Sequence, residues 1–258
     1  MKKDFCAFTI VQNETLFLDL WARYYSKHID KYDIFILNHN TNLYESKVQL
    51  SFLKSQGFNV IPVHRSESFN HQWLRETVQS FQSFLLQSYD VVLFAECDEL
   101  LIPNEKYNGG LSEYLFVQRS QPIKRCCGYE LIHYKDEEPP LYFGYSPLKQ
   151  RNFWYREPMY DKPLITNQKV NWDEGFHNIP DLETETDTDI FLVHLHRMDY
   201  NLCKLKHEEQ AKRKWSQSDL DANKGFQNRL FDDEEFNKWF YSFTGLRYDL
   251  PKLIQNAI

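Results

Sequence analysis

Three carboxylates stand within four residues of the sequence, at Glu96, Asp98 and Glu99, directly after the apolar run 91–95. Carboxylates crowded together repel one another, and a hard divalent cation such as Mn²⁺ or Mg²⁺ relieves that repulsion. Such a cation also binds phosphate oxygens and neutralises the charge of a leaving diphosphate. We therefore expect a divalent-metal site at Glu96 and Asp98. A solvated acidic loop after a strand is the simpler alternative.

Three histidines are the candidates for completing such a site. His194 and His196 flank Leu195 at the end of an apolar run, and alternation along an extended chain points both side chains the same way. Imidazole suits manganese or zinc better than magnesium. His177, beside the flexible Gly175, is an alternative ligand or a base. For His194 and His196, a hydrogen-bonded core histidine is an equally good interpretation of each residue taken alone.

The elements that must position these groups alternate between short apolar runs and amphipathic stretches over the first hundred residues. This alternation predicts a mostly parallel sheet flanked by helices. In the second helix the pattern places Tyr44, Val48 and Phe52 on the buried face, with Gly57 as the C-cap. The predicted strands are 5–11, 34–37, 60–63 and 91–95, and the predicted helices are 14–28, about 44–57 and 70–88.

Polar residues that follow the predicted strands should meet at one edge, because ligands of parallel sheets bind outside the carboxyl ends of the strands. Beside the acidic group at 96–99, two pairs of residues follow the first two strands, and a third, basic pair follows the strand at 60–63. These pairs are Asn13 with Glu14, Asn38 with Asn40, and His64 with Arg65.

The second half of the chain is harder to interpret. Prolines and aromatic residues are dense between 100 and 180, which favours an irregular excursion with short strands that shapes a cleft. A further strand is predicted at 190–195, after an acidic turn at 183–189. Helical, charged sequence follows from 201, so we expect a main domain at 1–200 with a helical extension, 201–258, packed on it. The basic residues around Lys212, Arg213 and Lys214 resemble a solvated helix face.

Composition excludes several classes of protein. The 258 residues carry a formal net charge of −7 without a basic stripe, which argues against a nucleic-acid partner. With eight glycines, a Gly-rich phosphate loop is not expected, so anion binding falls to side chains or a metal. The five cysteines form no disulfide pattern, and no apolar stretch approaches the roughly 20 residues that span a bilayer. We expect a cytoplasmic protein without a transmembrane segment.

Taken in order, four segments resemble glycosyltransferases of the nucleotide-diphospho-sugar transferase (GT-A) fold, closest to the family 2-like and family 92-like enzymes. The segment from Glu96 to Glu99, followed by Leu-Leu-Ile-Pro, is similar to their DxD-type motif, with Glu96 where Asp is usual. The other three segments are Asn13-Glu14 before a helix with Trp21, Lys162 to Ile165 followed by Gly175-Phe176-His177, and His194 to Arg197 with trailing Lys204 and Lys206. The resemblance covers about 5–206, but the loop after the second strand has Asn38 and Asn40 where these families often carry Asp.

The resemblance implies a Rossmann-like α/β fold of the GT-A type, with a mostly parallel central sheet flanked by helices and a C-terminal helical extension. It implies that Asp98 is the principal metal ligand, that Glu96 binds directly or through water, and that Glu99 orients neighbouring groups. One or more of His194, His196 and His177 would complete the metal site. The residues expected to bind the nucleotide-sugar are Asn13, Glu14, Asn38, Asn40, Arg65, Lys162, Arg197 and Lys206.

The implied activity is metal-dependent transfer of a sugar, with inversion, from a nucleotide-diphospho-sugar to a glycan or another hydroxyl-bearing acceptor. A UDP-hexose is the donor that the resemblance favours. Inversion needs a base for the acceptor proton, and Asp173 or Glu174 is the candidate. A plain acidic turn at 173–174 is equally compatible with the sequence.

Three other classes of protein are alternatives to a glycosyltransferase. A sugar nucleotidyltransferase usually has a Gly-rich basic loop after the first strand, and 11–15 contains neither Gly nor Lys. The departures from the family pattern at Glu96 and Asn38 leave a non-catalytic carbohydrate- or nucleotide-binding protein of the same fold as an alternative. A zinc hydrolase is disfavoured because the sequence has no HExxH pattern.

Overall fold

The computed structural model describes residues 2–63, 68–107, 110–230, 232–243 and 245–258. Within these ranges the chain forms ten strands and eight α-helices. The strands are β1 (Lys3–Val11), β2 (Ile34–His39), β3 (Asn59–Val63), β4 (Tyr89–Phe94), β5 (Glu99–Pro103), β6 (Arg125–Ile132), β7 (Phe153–Arg156), β8 (Ile165–Thr166), β9 (Thr186–His194) and β10 (Arg247–Asp249). The helices are α1 (Leu16–Tyr25), α2 (Tyr44–Ser55), α3 (His71–Leu85), α4 (Leu111–Gln118), α5 (Tyr200–Ala211), α6 (Gln217–Asp221), α7 (Asp233–Phe240) and α8 (Lys252–Gln255).

The first sheet has the order β3-β2-β1-β4-β8. Its first four strands are parallel, and β8 is antiparallel to β4. The residues Val91 to Phe94 of β4 are 0% exposed, as expected for a strand covered on both faces. The predicted α/β fold class, with a mostly parallel sheet flanked by helices, is confirmed.

A second sheet, with the order β10-β7-β6-β9-β5, adds to the predicted architecture. Its pairs are antiparallel except for β6 with β9. The sequence predicted only short strands between 100 and 180, whereas β6 has eight residues. The expected acidic turn at 183–189 is also wrong in its second half. Strand β9 begins at Thr186, and the carboxylate of Asp187 accepts a hydrogen bond from the buried Tyr114 hydroxyl at 2.9 Å.

The predicted buried face of α2 is wrong. Tyr44 and Phe52 are 76% and 60% exposed, and Val48 is exposed as well. The buried face instead carries Leu50 and Leu53. Both sets of residues recur at helical spacing, so periodicity alone could not select the face that packs on the sheet. Gly57 follows the helix with φ +100°, the left-handed conformation that suits its predicted place as a C-cap.

Two tyrosines of helix α1 form hydrogen bonds with the backbone at the start of β5. The Tyr24 and Tyr25 side chains are buried, and their hydroxyls donate to the carbonyl oxygens of Leu101 at 2.7 Å and Glu99 at 3.2 Å. The hydroxyl of Tyr25 also accepts from the Leu101 amide at 3.1 Å. These bonds fix the chain immediately after the acidic segment 96–99.

The C-terminal part of the chain returns to the main body. Strand β10 pairs with β7, and Ile254 of α8 is buried in the large hydrophobic core. Helix α5 begins at an N-cap, Asp199, whose carboxylate accepts from the Leu202 amide at 3.0 Å. Within the described residues, no helix combines the length and the apolar character that crossing a bilayer requires.

Candidate functional site

The acidic segment forms a tight turn between β4 and β5. The Glu99 amide donates to the Glu96 carbonyl at 2.9 Å, and the Glu99 side chain accepts from the Glu96 amide at 3.0 Å. Extended geometry therefore does not continue through Glu96 and Asp98. The Asp98 carbonyl accepts from the Leu195 amide at 2.8 Å, which places the turn beside the end of β9.

Asp98, His194 and His196 converge at this point. Oδ2 of Asp98 lies 3.3 Å from Nδ1 of His196 and 3.8 Å from Nε2 of His194. The two imidazole rings are nearly parallel, with centroids 5.7 Å apart, so both point the same way, as alternation predicts. One ligand atom from each residue lies within 4.8 Å of the others. This donor set of one carboxylate and two imidazoles fits a divalent transition metal.

A buried carboxylate from the second sheet orients His194. Glu130 is 0% exposed, and its Oε2 accepts a hydrogen bond from Nδ1 of His194 at 2.8 Å. Burial alone would lower the pKa of His194, but the charges of Glu130 and Asp98 raise it to about 9. Burial would raise the pKa of Asp98, but the hydrogen bond from His196 and the charge of His194 hold it well below its ordinary range.

Lys162 pairs with the other two carboxylates of the turn. Its buried ammonium lies 2.6 Å from Oε1 of Glu99 and 2.9 Å from Oε2 of Glu96. Burial raises the pKa of Glu99, which is fully buried. Burial would lower the pKa of Lys162, but Glu96 and Glu99 raise it above its ordinary value. The charge of Lys162 is thus committed to this turn.

A second lysine pairs with the N-terminus of α1. Nζ of Lys206 lies 2.8 Å from Oε2 of Glu14, while Oε1 of Glu14 accepts from the amides of Thr15 and Phe17. Burial would lower the pKa of Lys206, but the charges of Glu14 and Asp98 raise it above its ordinary value. Lys206 therefore links α5 to the edge of the first sheet.

These groups face a cleft of about 310 Å³. Eight of the residues selected from the sequence line this cleft. They are Glu14, Glu96, Asp98, Lys162, His177, His194, His196 and Lys206.

Three of the predicted nucleotide-binding residues shape neighbouring loops instead of lining the cleft. Oδ1 of Asn13 accepts from the Asn42 amide at 2.8 Å, and Oδ1 of Asn38 accepts from the Thr41 amide at 3.2 Å. Asn13 and Asn40 have positive φ angles of 54° and 49°. The predicted pair His64 and Arg65 lies outside the described residues.

Four further residues predicted from the sequence do not line the cleft. They are Glu99, which lies in the turn, Asp173, Glu174 and Arg197. The carboxylate of Asp173 accepts from the amide and the side chain of Asn178 at 2.8 and 2.7 Å. Glu174 pairs with Lys224 at 2.5 Å. Arg197 is buried, where it donates to the Tyr155 hydroxyl at 2.9 Å and the Phe240 carbonyl at 3.1 Å.

His177 lies on the cleft in a defined tautomer. Its Nδ1 lies 2.6 Å from the Met159 carbonyl oxygen, so Nδ1 carries the proton and donates it. Burial and the charge of Lys162 lower the pKa of His177 below its ordinary value. The imidazole is therefore neutral near pH 7, and its Nε2 can accept a proton.

Arg75 and Arg213 are cleft residues that the sequence analysis did not select. Within the described part of the chain, neither guanidinium has a carboxylate within 4.0 Å, and Nε of Arg75 is buried without a hydrogen-bond partner. Burial lowers the pKa of Arg213. The interpretation of 212–214 as a solvated helix face is therefore wrong for Arg213. A partly buried guanidinium without a carboxylate partner indicates a place for an anion.

No protein-family model and no curated protein matches the sequence. Among solved structures, residues 1–349 of S. aureus TarS are similar over 93% of this chain and 75% of that chain, with 11% identity and a TM-score of 0.38. The same region in complex with UDP-GlcNAc gives 10% identity and a TM-score of 0.37, over 93% of this chain and 76% of that chain. A candidate glucose-1-phosphate thymidylyltransferase from Bacillus anthracis, in complex with a sucrose, has 11% identity and a TM-score of 0.35, over 95% of this chain and 89% of that chain.

Proposed function

We propose that the protein is a metal-dependent glycosyltransferase that moves a sugar from a nucleotide-diphospho-sugar to an acceptor hydroxyl with inversion. The observation that carries the proposal is the convergence of Asp98, His194 and His196 at the carboxyl edge of the parallel sheet. The same cleft holds Arg75 and Arg213, which lack carboxylate partners among the described residues. A metal site next to unpaired cations suits a diphosphate.

Asp98 and His194 would be the principal ligands of a manganese or magnesium ion, with His196 and Glu96 at the same edge. The ion would stabilise the negative charge that develops on the leaving diphosphate. Glu130 supports this assignment, because ligating histidines commonly donate their second N–H to a carboxylate. Lys162 pairs with Glu96 and Glu99. Among the described residues, no lysine lies within 4.0 Å of the third carboxylate of the turn, Asp98, which is therefore available to a metal ion.

Arg75 and Arg213 would bind the phosphate oxygens. Guanidinium groups bind phosphate with two parallel hydrogen bonds, and such charge-assisted bonds are stronger where water is excluded. Lys206 adds positive charge to the same cleft while remaining paired with Glu14. A uridine nucleotide, with uracil as its base, is the donor that the resemblance of the sequence to GT-A enzymes favours.

His177 would act as the base. Its Nε2 takes the proton of the acceptor hydroxyl while the acceptor oxygen bonds to the anomeric carbon. The bond from that carbon to the diphosphate oxygen breaks, and the nucleoside diphosphate departs with the electron pair. Asp173 and Glu174, the candidates from the sequence, are engaged with Asn178 and Lys224.

Thermal unfolding with nucleotides tests the donor site. UDP with Mn²⁺ at 100 times its dissociation constant should stabilise the wild type by about 2.7 kcal/mol, which raises Tm by roughly 5 °C. Asp98→Asn should lose this shift, whereas Asp19→Asn, on the exposed face of α1, should keep it. If no nucleoside diphosphate stabilises the protein with any divalent metal, the proposed donor site is wrong.

Product analysis then separates the two transferase classes. UDP released from UDP-sugars in the presence of hydroxyl-bearing acceptors supports glycosyl transfer. Pyrophosphate released from a nucleoside triphosphate and a sugar 1-phosphate would instead identify a nucleotidyltransferase.

A further inference from the structure

A second cluster of metal-ligating side chains lies behind the Asp98 site. Nε2 of His196 is 2.9 Å from Nε2 of His207, and Sγ of Cys203 is 3.8 Å from the same His207 nitrogen. One ligand atom from each of the three residues lies within 4.8 Å of the others. Cys203 and His207 are 1% and 0% exposed. We refer to these three side chains as the inner cluster.

Local structure places the three ligands together. Cys203 and His207 are four residues apart on α5, so they share one face of the helix. His196 follows the end of β9, and its ring contacts His207 on this face of the helix. Trp239 closes the cluster, since its ring centroid lies 4.5 Å from that of His207 and 5.8 Å from that of His196.

We propose that the inner cluster is a zinc site, distinct from the manganese or magnesium site at Asp98. A thiolate and two imidazoles are the donors that zinc prefers, and they suit magnesium poorly. Zinc bonds of about 2.0–2.3 Å place tetrahedral ligands roughly 3.3–3.7 Å apart. The observed separations of 2.9 and 3.8 Å bracket that range. The third pair, His196 and Cys203, has ligand atoms within 4.8 Å of each other.

His196 is oriented for this purpose by Asp98. Nδ1 of His196 lies 3.3 Å from the Asp98 carboxylate, which accepts the Nδ1 proton and leaves Nε2 for the inner metal. This is the carboxylate–histidine–metal arrangement common at zinc sites. When zinc binds, the Cys203 thiol proton leaves to solvent, the two imidazoles bind as neutral ligands, and water takes the fourth position. The manganese or magnesium ion of the Asp98 site would retain Asp98 and His194 as its ligands.

The inner zinc would attach α5 to the end of β9. Lys206 lies on α5 next to His207, and its ammonium reaches Glu14 at the cleft. The inner metal therefore holds one wall of the cleft in place without touching a nucleotide. Its existence does not depend on the proposed transferase activity.

Cobalt(II) titration of the full chain under reducing conditions tests the inner site. Wild type should bind Co²⁺ with a near-ultraviolet sulfur-to-cobalt charge-transfer band, and Zn²⁺ should displace the cobalt. Cys203→Ser should abolish the band, and His207→Gln should weaken Co²⁺ binding by at least about 10-fold. Cys126→Ser is the matched control, because Cys126 is a buried cysteine in β6, outside the inner cluster.

His194→Gln distinguishes this proposal from the proposed function, because His194 belongs to the Asp98 site and not to the inner cluster. It should remove the melting shift produced by UDP with manganese while retaining the charge-transfer band. Circular dichroism establishes that each variant is folded, and His207→Gln provides the test should Cys203→Ser fail to fold. The inner site is overturned if wild type shows no charge-transfer band, or if the band survives in folded Cys203→Ser.

Discussion

Glu130 lies directly behind His194, and its buried carboxylate accepts the Nδ1 hydrogen bond at 2.8 Å. The other carboxylate oxygen accepts from the Arg197 amide at 3.0 Å, so one side chain of β6 fixes both the imidazole and the chain that follows it. Nε2 of His194 consequently faces Asp98. Although it stands on a strand of the second sheet, Glu130 determines the direction of a ligand at the edge of the first.

Glu130→Gln should weaken manganese binding about 10- to 100-fold, because the amide is a poorer acceptor for the His194 proton and leaves the ring less firmly oriented. Isothermal titration with Mn²⁺ in the presence of UDP measures the effect. Glu113→Gln, at an acidic residue of the first turn of α4, is the control. Unchanged manganese affinity in folded Glu130→Gln would contradict a ligand role for His194.

Lys162→Met should destabilise the fold by about 3–5 kcal/mol, because it leaves the buried Glu99 carboxylate without its cation. Lys3, an exposed lysine that pairs with Asp33, is the control, and Lys3→Met should cost much less stability than Lys162→Met. Urea unfolding gives both values. Adding Glu99→Gln to Lys162→Met should recover part of the loss, and equal stability of the single and double variants would refute this account.

Arg75→Gln and Arg213→Gln should each weaken UDP binding about 10-fold, since each removes charge-assisted hydrogen bonds to phosphate. Uridine, which has no phosphate, should bind both variants as it binds the wild type. Calorimetry with the two ligands separates these effects, with Arg23→Gln on the exposed side of α1 as the control. Equal losses for UDP and uridine would indicate a general distortion of the cleft.

His177→Gln should lower kcat about 10²- to 10⁴-fold and leave the melting shift with UDP and manganese intact. Asp173→Asn should reduce stability through its bonds to Asn178 and leave kcat of the folded protein nearly unchanged. Steady-state kinetics on both variants decide between the two bases. A selective loss of kcat in Asp173→Asn would restore the assignment made from the sequence.

His133 should make the fold sensitive to mild acid. Burial lowers the pKa of His133 from 6.5, and the nearby Arg151 charge acts in the same direction. Its neutral ring accepts from the Tyr200 amide at 3.0 Å at the start of α5. Below pH 6.5 the unfolded chain binds the proton more readily than the folded chain, so stability present above pH 6.5 falls with further acidification.

Urea unfolding between pH 7.5 and about 5 measures this dependence. His133→Gln should flatten the curve in part, and His28 should contribute to the remaining slope, because burial also lowers the pKa of His28. An unchanged slope in His133→Gln would show that other groups account for the acid sensitivity.

The sequence predicted the first sheet and the acidic turn because both depend on local patterns. The apolar run before Glu96 and the spacing of His194 and His196 were sufficient to locate the cleft. Glu130 could not be predicted as part of the site because its partners, His194 and Arg197, come from a distant segment. A charged residue inside the otherwise apolar strand β6 was the available signal, since a buried carboxylate needs a partner.

The sequence could not show which side chains would pack or pair with one another. Either stripe of α2 could have been buried, and helical spacing did not distinguish Phe52 from Leu53. The crowding of carboxylates was taken as the reason for a metal, yet Lys162 already offsets Glu96 and Glu99. What supports the proposed metal site after folding is the meeting of Asp98 with His194.

The pairing of Lys162 with the turn also separates the charges of the cleft. One positive charge from Lys162 stands against the three carboxylates at 96–99, so the turn attracts a divalent ion. Arg75, Arg213 and Lys206 line the same cleft and attract a diphosphate instead. The metal ion and the diphosphate also attract one another, so each should bind more tightly when the other is present.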